Sequence, residues 1–109
     1  PESTKDCLLN MHFMSKNALN AINSKSDTQL VKDHAVPVKI ISEILKQLNC
    51  PSEASIEKLL LKFYRLGVLT NEEDKTLNQL NLKSAMPNDW DSKNVFARYE
   101  KANIQRAYI

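Results

Sequence analysis

Four side chains in this sequence could bind a metal ion or supply a nucleophilic cysteine and its histidine base: Cys7, His12, His34 and Cys50. Structural zinc sites usually take two ligands from a C-x-x-C or H-x₃₋₅-H pair, which fixes part of the geometry locally. These residues are instead 5, 22 and 16 positions apart, so their spacing predicts no metal site. A nucleophilic cysteine also needs a base beside its thiol, and nothing in the sequence around either cysteine supplies one.

Carboxylates are concentrated in the run Glu72, Glu73 and Asp74. This run does not fit a calcium-binding EF-hand loop, because such a loop needs a glycine at its sixth position. Glu73 stands three residues after Thr70, which is the spacing of a capping box, so the run is explained by the first turn of a helix. The single glycine, Gly67, excludes glycine-rich phosphate loops and nucleophile elbows. We therefore predict a protein that is not an enzyme and takes no cofactor, metal ion or small-molecule substrate.

The composition predicts one domain of modest charge. The chain has 109 residues and a formal net charge of +2, which fits a single domain over residues 1–109 and is well short of a strongly basic nucleic-acid binder. It has no run of 18 apolar residues, so we expect no membrane span. Because the chain begins at Pro1 rather than Met, we expect a domain cut from a longer protein or else a processed mature form, with residues 1–4 disordered.

Apolar residues recur at helical spacing along almost the whole chain, which predicts an all-α fold. The expected helical segments are at about 5–23, 38–49, 52–66 and 70–82, with a last one starting near Asp89 or Asp91. Together they predict a compact bundle of four main helices plus one shorter helix. For the stretch from Leu30 to Val36, helix, turn and extended strand all stay open.

Two residues are expected to mark the ends of the 52–66 helix. Ser52 has the side chain of an N-cap residue. Gly67 follows Leu66 and is expected to adopt the left-handed conformation that ends many helices, with Val68 making the hydrophobic contact of a Schellman motif. On this interpretation the only glycine of the chain is a helix stop.

The two terminal helices carry apolar pairs outside the faces that a bundle would bury. Leu9 and Phe13 form one i, i+4 pair, and Ile104 and Tyr108 form the other. A helix with two apolar faces is either central in a core or covers a partner. Because a bundle of this size can hardly hold both terminal helices at its centre, we predict that these four residues contact another protein chain, either a different partner or a second copy. The predicted function is that of an intracellular adaptor, assembly or oligomerisation domain, cytoplasmic or nuclear.

One alternative function rests on a basic stripe with i, i+4, i+7 spacing in the predicted helix between Ser52 and Leu66. Such a stripe can meet nucleic-acid phosphates. The helix and the residues after it, Leu66-Gly67-Val68-Leu69, resemble the recognition helix and following strand of winged-helix domains, which implies nucleic-acid binding. A wing would need a β-hairpin next, whereas residues 70–82 have the caps and spacing of a helix. The residues expected to contact nucleic acid are Lys58, Lys62 and Arg65, helped by Arg98 and Lys101.

A second alternative is a secreted helical ligand or carrier in which Cys7 and Cys50 form a disulfide. Composition does not fix the redox compartment of the chain. Two free thiols in an intracellular domain are the simpler interpretation.

Overall fold

The computed structural model describes residues 12–107, which fold into helices and a mixed three-stranded sheet. The prediction of an all-α helical bundle is therefore wrong. Within this part of the chain the elements are β1 (Phe13–Met14), α1 (Lys16–Asn23), β2 (Leu30–His34), α2 (Val38–Lys46), α3 (Glu53–Phe63), β3 (Leu66–Thr70), α4 (Asn71–Gln79) and α5 (Ala97–Lys101).

The sheet has the order β1-β3-β2, with β3 in the centre. β1 runs parallel to β3 and sets Phe13 opposite Gly67, whereas β2 runs antiparallel to β3 and sets Lys32 opposite Val68. The C-terminal segment continues the pairing beyond β1, because the Ala107 N–H donates to the Met14 carbonyl at 2.7 Å. β3 is buried on both faces, so its sequence is a short apolar run rather than an alternating one.

Gly67 lies inside β3 and has no positive φ, so the predicted left-handed helix stop is wrong. The glycine is needed for a different reason, which is the close approach of an aromatic ring. A Cβ atom at this position would lie 2.3 Å from the Cε2 and Cζ atoms of Phe13. Phe13 sits on the neighbouring strand, and its ring occupies the space that a side chain at position 67 would fill.

The predictions that rest on local capping are confirmed. α3 begins directly after Ser52, whose hydroxyl accepts a hydrogen bond from the Ser55 N–H. α4 begins after Thr70 with the expected capping box: the Thr70 hydroxyl accepts from the Glu73 N–H, and the Glu73 carboxylate accepts from the Thr70 N–H. Because α4 directly follows β3, no wing hairpin follows this strand.

The first and last predicted helices are shorter in the structure. Ser15 is the N-cap of α1, so the helix starts at Lys16, and the stretch before it pairs as β1. At the other end, the Asp91 side chain accepts hydrogen bonds from the Lys93 and Asn94 N–H groups. This local turn competes with helix formation, and only α5 is helical in the region where a longer last helix was expected.

A buried arginine joins three separate parts of the chain. Arg98 of α5 is fully buried, and its guanidinium donates to the carbonyl oxygens of Ala35 and Leu82 at 3.1 and 2.7 Å. It also contacts the Asp33 carboxylate of β2 at 2.6 Å, and the Tyr99 hydroxyl donates to the same carboxylate oxygen at 2.6 Å. The charge is therefore both paired and hydrogen-bonded, which is the condition under which a buried arginine is tolerated.

Candidate protein-binding surface

Of the four residues predicted to contact a partner, the two that the structure describes lie in the core. Phe13 and Ile104 are each only 8% exposed and belong to the same core cluster. The Phe13 ring packs edge-on against Phe96 and lies 5.3 Å from the Tyr99 ring. The expectation that Phe13 and Ile104 lie on outer helix faces is therefore wrong. The other two predicted residues, Leu9 and Tyr108, lie outside the described residues.

The basic stripe is split by the fold. Lys58 and Lys62 are exposed on α3, as expected of a solvent-facing stripe. Arg65 lies beyond the end of α3, where its guanidinium donates to the main-chain carbonyls of Leu61 and Tyr64. It therefore supplies hydrogen bonds to carbonyls that have no partner inside the helix.

The two further cations proposed to help bind nucleic acid are both engaged within the chain. Arg98 is fully buried, so it is not a nucleic-acid contact. Lys101 is exposed and forms an ion pair with Asp89 at 2.9 Å. That ion pair, through a side-chain hydrogen bond first and charge second, lowers the pKa of the Asp89 carboxyl.

The most prominent apolar surface among the described residues lies on α3 and the residue that ends it. Leu61 is 66% exposed, Tyr64 38% and Leu60 36%. With the half-buried Ile56 they line an open groove of about 740 Å³. The remaining lining residues are His12, Glu53, Glu57 and Arg65.

This surface is exposed because α3 uses a different side to hold the fold together. Phe63 is buried and Leu59 packs with it in a cluster that includes Ile41 of α2 and Trp90. Successive residues of a helix are rotated by about 100°, so Leu61 points away from the side occupied by Leu59 and Phe63, and Leu60 lies between the two sides. Leu61 is therefore apolar at a position where the core formed by residues 12–107 does not require it.

Two histidines hold Tyr64 at one end of the groove. The Tyr64 ring makes edge-on contacts with His12 and His34, with ring centroids 6.2 and 5.2 Å away. His12 is fixed by the first residue of β3, since its Nδ1 accepts from the Leu66 N–H at 3.0 Å and its main-chain N–H donates to the Leu66 carbonyl. An accepting Nδ1 carries no proton, so the ring proton is on Nε2 in this arrangement.

The charges of the groove are separated along α3. Glu53 lies in the first turn and Glu57 one turn later, whereas Arg65 lies past the C-terminal end of the helix. The exposed apolar side chains Leu60 and Leu61 lie between these ends. The groove is therefore acidic at one end, apolar in the middle and basic at the other end.

A second, polar cleft next to the start of α4 has its buried groups already paired. The Glu73 carboxylate is buried and accepts hydrogen bonds from the Ser15 hydroxyl at 2.6 Å and from the Thr70 N–H at 3.0 Å. Ser15 is itself fully buried, so its hydroxyl is not accessible to a substrate. This serine–carboxylate contact ties the end of β1 to α4 and is structural.

Of the four side chains first considered for chemistry, the structure describes three. His12 and His34 both flank Tyr64, whereas Cys50 is exposed in the turn between α2 and α3. Cys7 lies outside the described residues. In residues 12–107 no three His, Cys, Asp or Glu side chains are close enough together to hold a metal ion.

Comparisons with known proteins add no functional assignment. A scan against protein-family models, a search of curated proteins and a search of solved structures found no match. Across the part of the chain that the structure describes, none of the helices has the length and apolar character needed to cross a bilayer.

Proposed function

We propose that this chain is a non-enzymatic protein–protein interaction domain with an adaptor, assembly or oligomerisation role, and that it binds another polypeptide along α3. The observation that carries this proposal is the exposure of Leu61, at 66%, beside the exposed Leu60 and Tyr64. An apolar groove with charged residues at both ends has the composition of an interaction site, in which an apolar centre is surrounded by a polar rim.

The size of the hydrophobic effect supports the same proposal. Full burial of a leucine side chain stabilises by about 1.5–3 kcal/mol relative to leaving it in water. A partner that covered Leu60, Leu61 and Tyr64 would gain several such contributions, and these must exceed the entropic cost of association. Tyr64 is already held between two histidines, so little side-chain freedom is lost when it is covered.

Nucleic-acid binding is the second candidate function, and the exposed Lys58 and Lys62 favour it. Phosphate contacts from these lysines would make binding weaken steeply with salt. Two other members of the predicted cation set weaken this candidate, because Arg98 is buried and Lys101 is paired with Asp89. The hairpin wing that the winged-helix resemblance implies is replaced by α4.

The proposal is tested with a matched pair of substitutions, Leu61→Lys and Leu80→Lys. Both residues are exposed leucines, but Leu80 ends α4 and does not line the α3 groove. In affinity capture from cells of the source organism, proteins bound by the wild type should be lost with Leu61→Lys and retained with Leu80→Lys. Equal capture by both variants, or DNA or RNA binding at about 50 mM salt that requires Lys58 and Lys62, would contradict the proposal.

An intracellular location, cytoplasmic or nuclear, is part of this proposal. Thiol titration of the unreduced protein separates it from the secreted alternative. Two reactive thiols are expected for an intracellular domain, whereas none would support a disulfide between Cys7 and Cys50.

A further inference from the structure

We propose that the partner of the α3 groove is a second copy of this chain, with the two α3 helices packed antiparallel about a two-fold axis near Leu61. This inference rests on the proposed function, since it names the polypeptide that covers the groove. A two-fold interface uses the same patch on both subunits, so the patch must be complementary to itself. The charges on either side of Leu61, one on α3 and one just past its end, meet this condition.

Glu57 stands on α3 four residues before Leu61, and Arg65 stands four residues after Leu61, just past the end of the helix. When two copies pair antiparallel with Leu61 opposite Leu61, Glu57 of each copy lies opposite Arg65 of the other. The pairing therefore brings together two symmetry-related ion pairs of opposite charge. In a parallel arrangement each glutamate would instead lie opposite its own equivalent, which is repulsive.

The lysines of α3 fit the same register. With Leu61 on the axis, Lys62 lies opposite Leu60 of the other copy and Lys58 lies opposite Tyr64. The alkyl part of a lysine covers apolar surface while its ammonium group stays in water, and an ammonium group near a tyrosine ring is attracted to it. Neither lysine opposes another cation in this arrangement.

The length of α3 sets the expected affinity of the dimer. Eleven residues make a helix of about 16 Å, and one helix pair of that length buries less than the roughly 800 Å² per partner of a standard interface. The dimer is therefore expected to be weak, with a dissociation constant on the order of micromolar or above. Such a dimer forms and dissociates within the concentration range of ordinary solution measurements.

The test is sedimentation velocity of the purified chain over a concentration series, with the variants Glu57→Arg and Arg65→Glu measured alone and mixed. Each variant alone places like charges opposite each other twice per dimer, so its dissociation constant should rise at least about tenfold. In an equimolar mixture, the arginine introduced at position 57 of one variant would face the glutamate introduced at position 65 of the other. The native Arg65 and the native Glu57 would also face each other, so the heterodimer should return to within about threefold of the wild-type affinity.

Glu43→Arg is the charge-reversal control, because Glu43 is exposed on α2 and does not line the groove. It should dimerise as the wild type does. Arg65 also donates to carbonyls at the end of α3, so thermal unfolding must show that Arg65→Glu is folded. If Arg65→Glu is not folded, the dimer is tested with Glu57→Arg and Leu61→Lys instead. Both of these variants must lose the dimer while remaining folded.

Three results would overturn this inference. The first is a wild-type chain that stays monomeric at every concentration. The second is a dimer whose dissociation constant neither charge reversal changes. The third is an equimolar mixture of the two variants that dimerises no better than either variant alone. A monomer that still captures a different protein in a Leu61-dependent way would refute self-association and leave the proposed function standing. A dimer that persists with Leu61→Lys, without any Leu61-dependent capture, would refute both.

Discussion

Replacing Gly67 with alanine should destabilise the fold through one identified contact, the Phe13 ring. The added Cβ would lie 2.3 Å from two ring carbons and 2.4 Å from a third, far inside the normal carbon–carbon contact distance of about 3.5–4.0 Å. The ring cannot simply move away, because Phe96 and Tyr99 pack against it at centroid distances of 5.4 and 5.3 Å. We therefore expect a cost of about 1–3 kcal/mol, as for other overpacked cores.

A double-mutant cycle with Phe13→Leu isolates this contact. Leucine has no atoms at the positions of the Phe13 Cε2 and Cζ, so it removes the two closest of the three contacts. The single change Phe13→Leu should itself cost about 1–2 kcal/mol through lost packing. In the Phe13→Leu background, Gly67→Ala should then cost less than about 0.5 kcal/mol, which leaves a coupling of about 0.5–3 kcal/mol.

Urea denaturation followed by circular dichroism gives the four free energies of unfolding that the cycle needs. The alternative explanation, a glycine required for left-handed backbone geometry, makes a different prediction. Alanine would then cost about 1 kcal/mol whether position 13 is phenylalanine or leucine, and the coupling would be near zero. A coupling within error of zero would refute the account of Gly67 given by the structure.

Three further substitutions test the core. Arg98→Leu should cost at least about 3–5 kcal/mol or prevent folding, because it leaves the Asp33 carboxylate without its cationic partner and the Ala35 and Leu82 carbonyls without their donor; a loss under about 1 kcal/mol in urea denaturation would contradict this. Burial, and then the Asp33 charge, raise the pKa of Tyr99 far above its usual range. The folded state therefore keeps a proton that the unfolded chain loses above about pH 10, so the free energy of unfolding of the wild type should fall there. Tyr99→Phe should show a smaller fall. Identical profiles of unfolding free energy against pH for the two proteins would contradict this prediction. Thr70→Ala removes the N-cap of α4 and should cost about 0.5–2 kcal/mol, measured as a shift in the urea midpoint, and an unchanged midpoint would show that the capping box with Glu73 does not stabilise the helix.

The features that could be predicted from the sequence depend on residues within one turn of each other. Ser52 and Thr70 were identified as N-caps, and both begin helices in the structure. A capping hydroxyl bonds to a main-chain N–H three residues away, so the signal is complete within a few positions. The Thr70 box also predicted correctly that a helix follows in the place of a wing.

The sheet could not be predicted because its signals are short and its pairing is distant in sequence. β1 has two residues, and β3 is a five-residue apolar run that periodicity cannot distinguish from the end of a buried helix. Phe13 pairs with Gly67 across more than 50 positions, which no local pattern records. Treating Phe13 as helical placed it on an outer face, whereas its strand places it in the core.

The candidate surface was missed for a related reason. Leu60, Leu61 and Tyr64 were not among the residues predicted from the sequence to contact a partner. The signal was present in the consecutive Leu59, Leu60 and Leu61, because three successive residues cannot all lie on one side of a helix. The direction in which each leucine points became clear only from the side of α3 that packs against α2.

The central claim is that α3 contacts another polypeptide through Leu61, and site-specific photo-crosslinking tests it most directly. A benzophenone amino acid is placed at position 61 in one sample and at position 80, the matched exposed leucine on α4, in the other. After illumination of the protein in its native cells and separation under denaturing conditions, position 61 should give a discrete adduct with a polypeptide and position 80 should not. No adduct from position 61, or the same adducts from both positions, would contradict the claim.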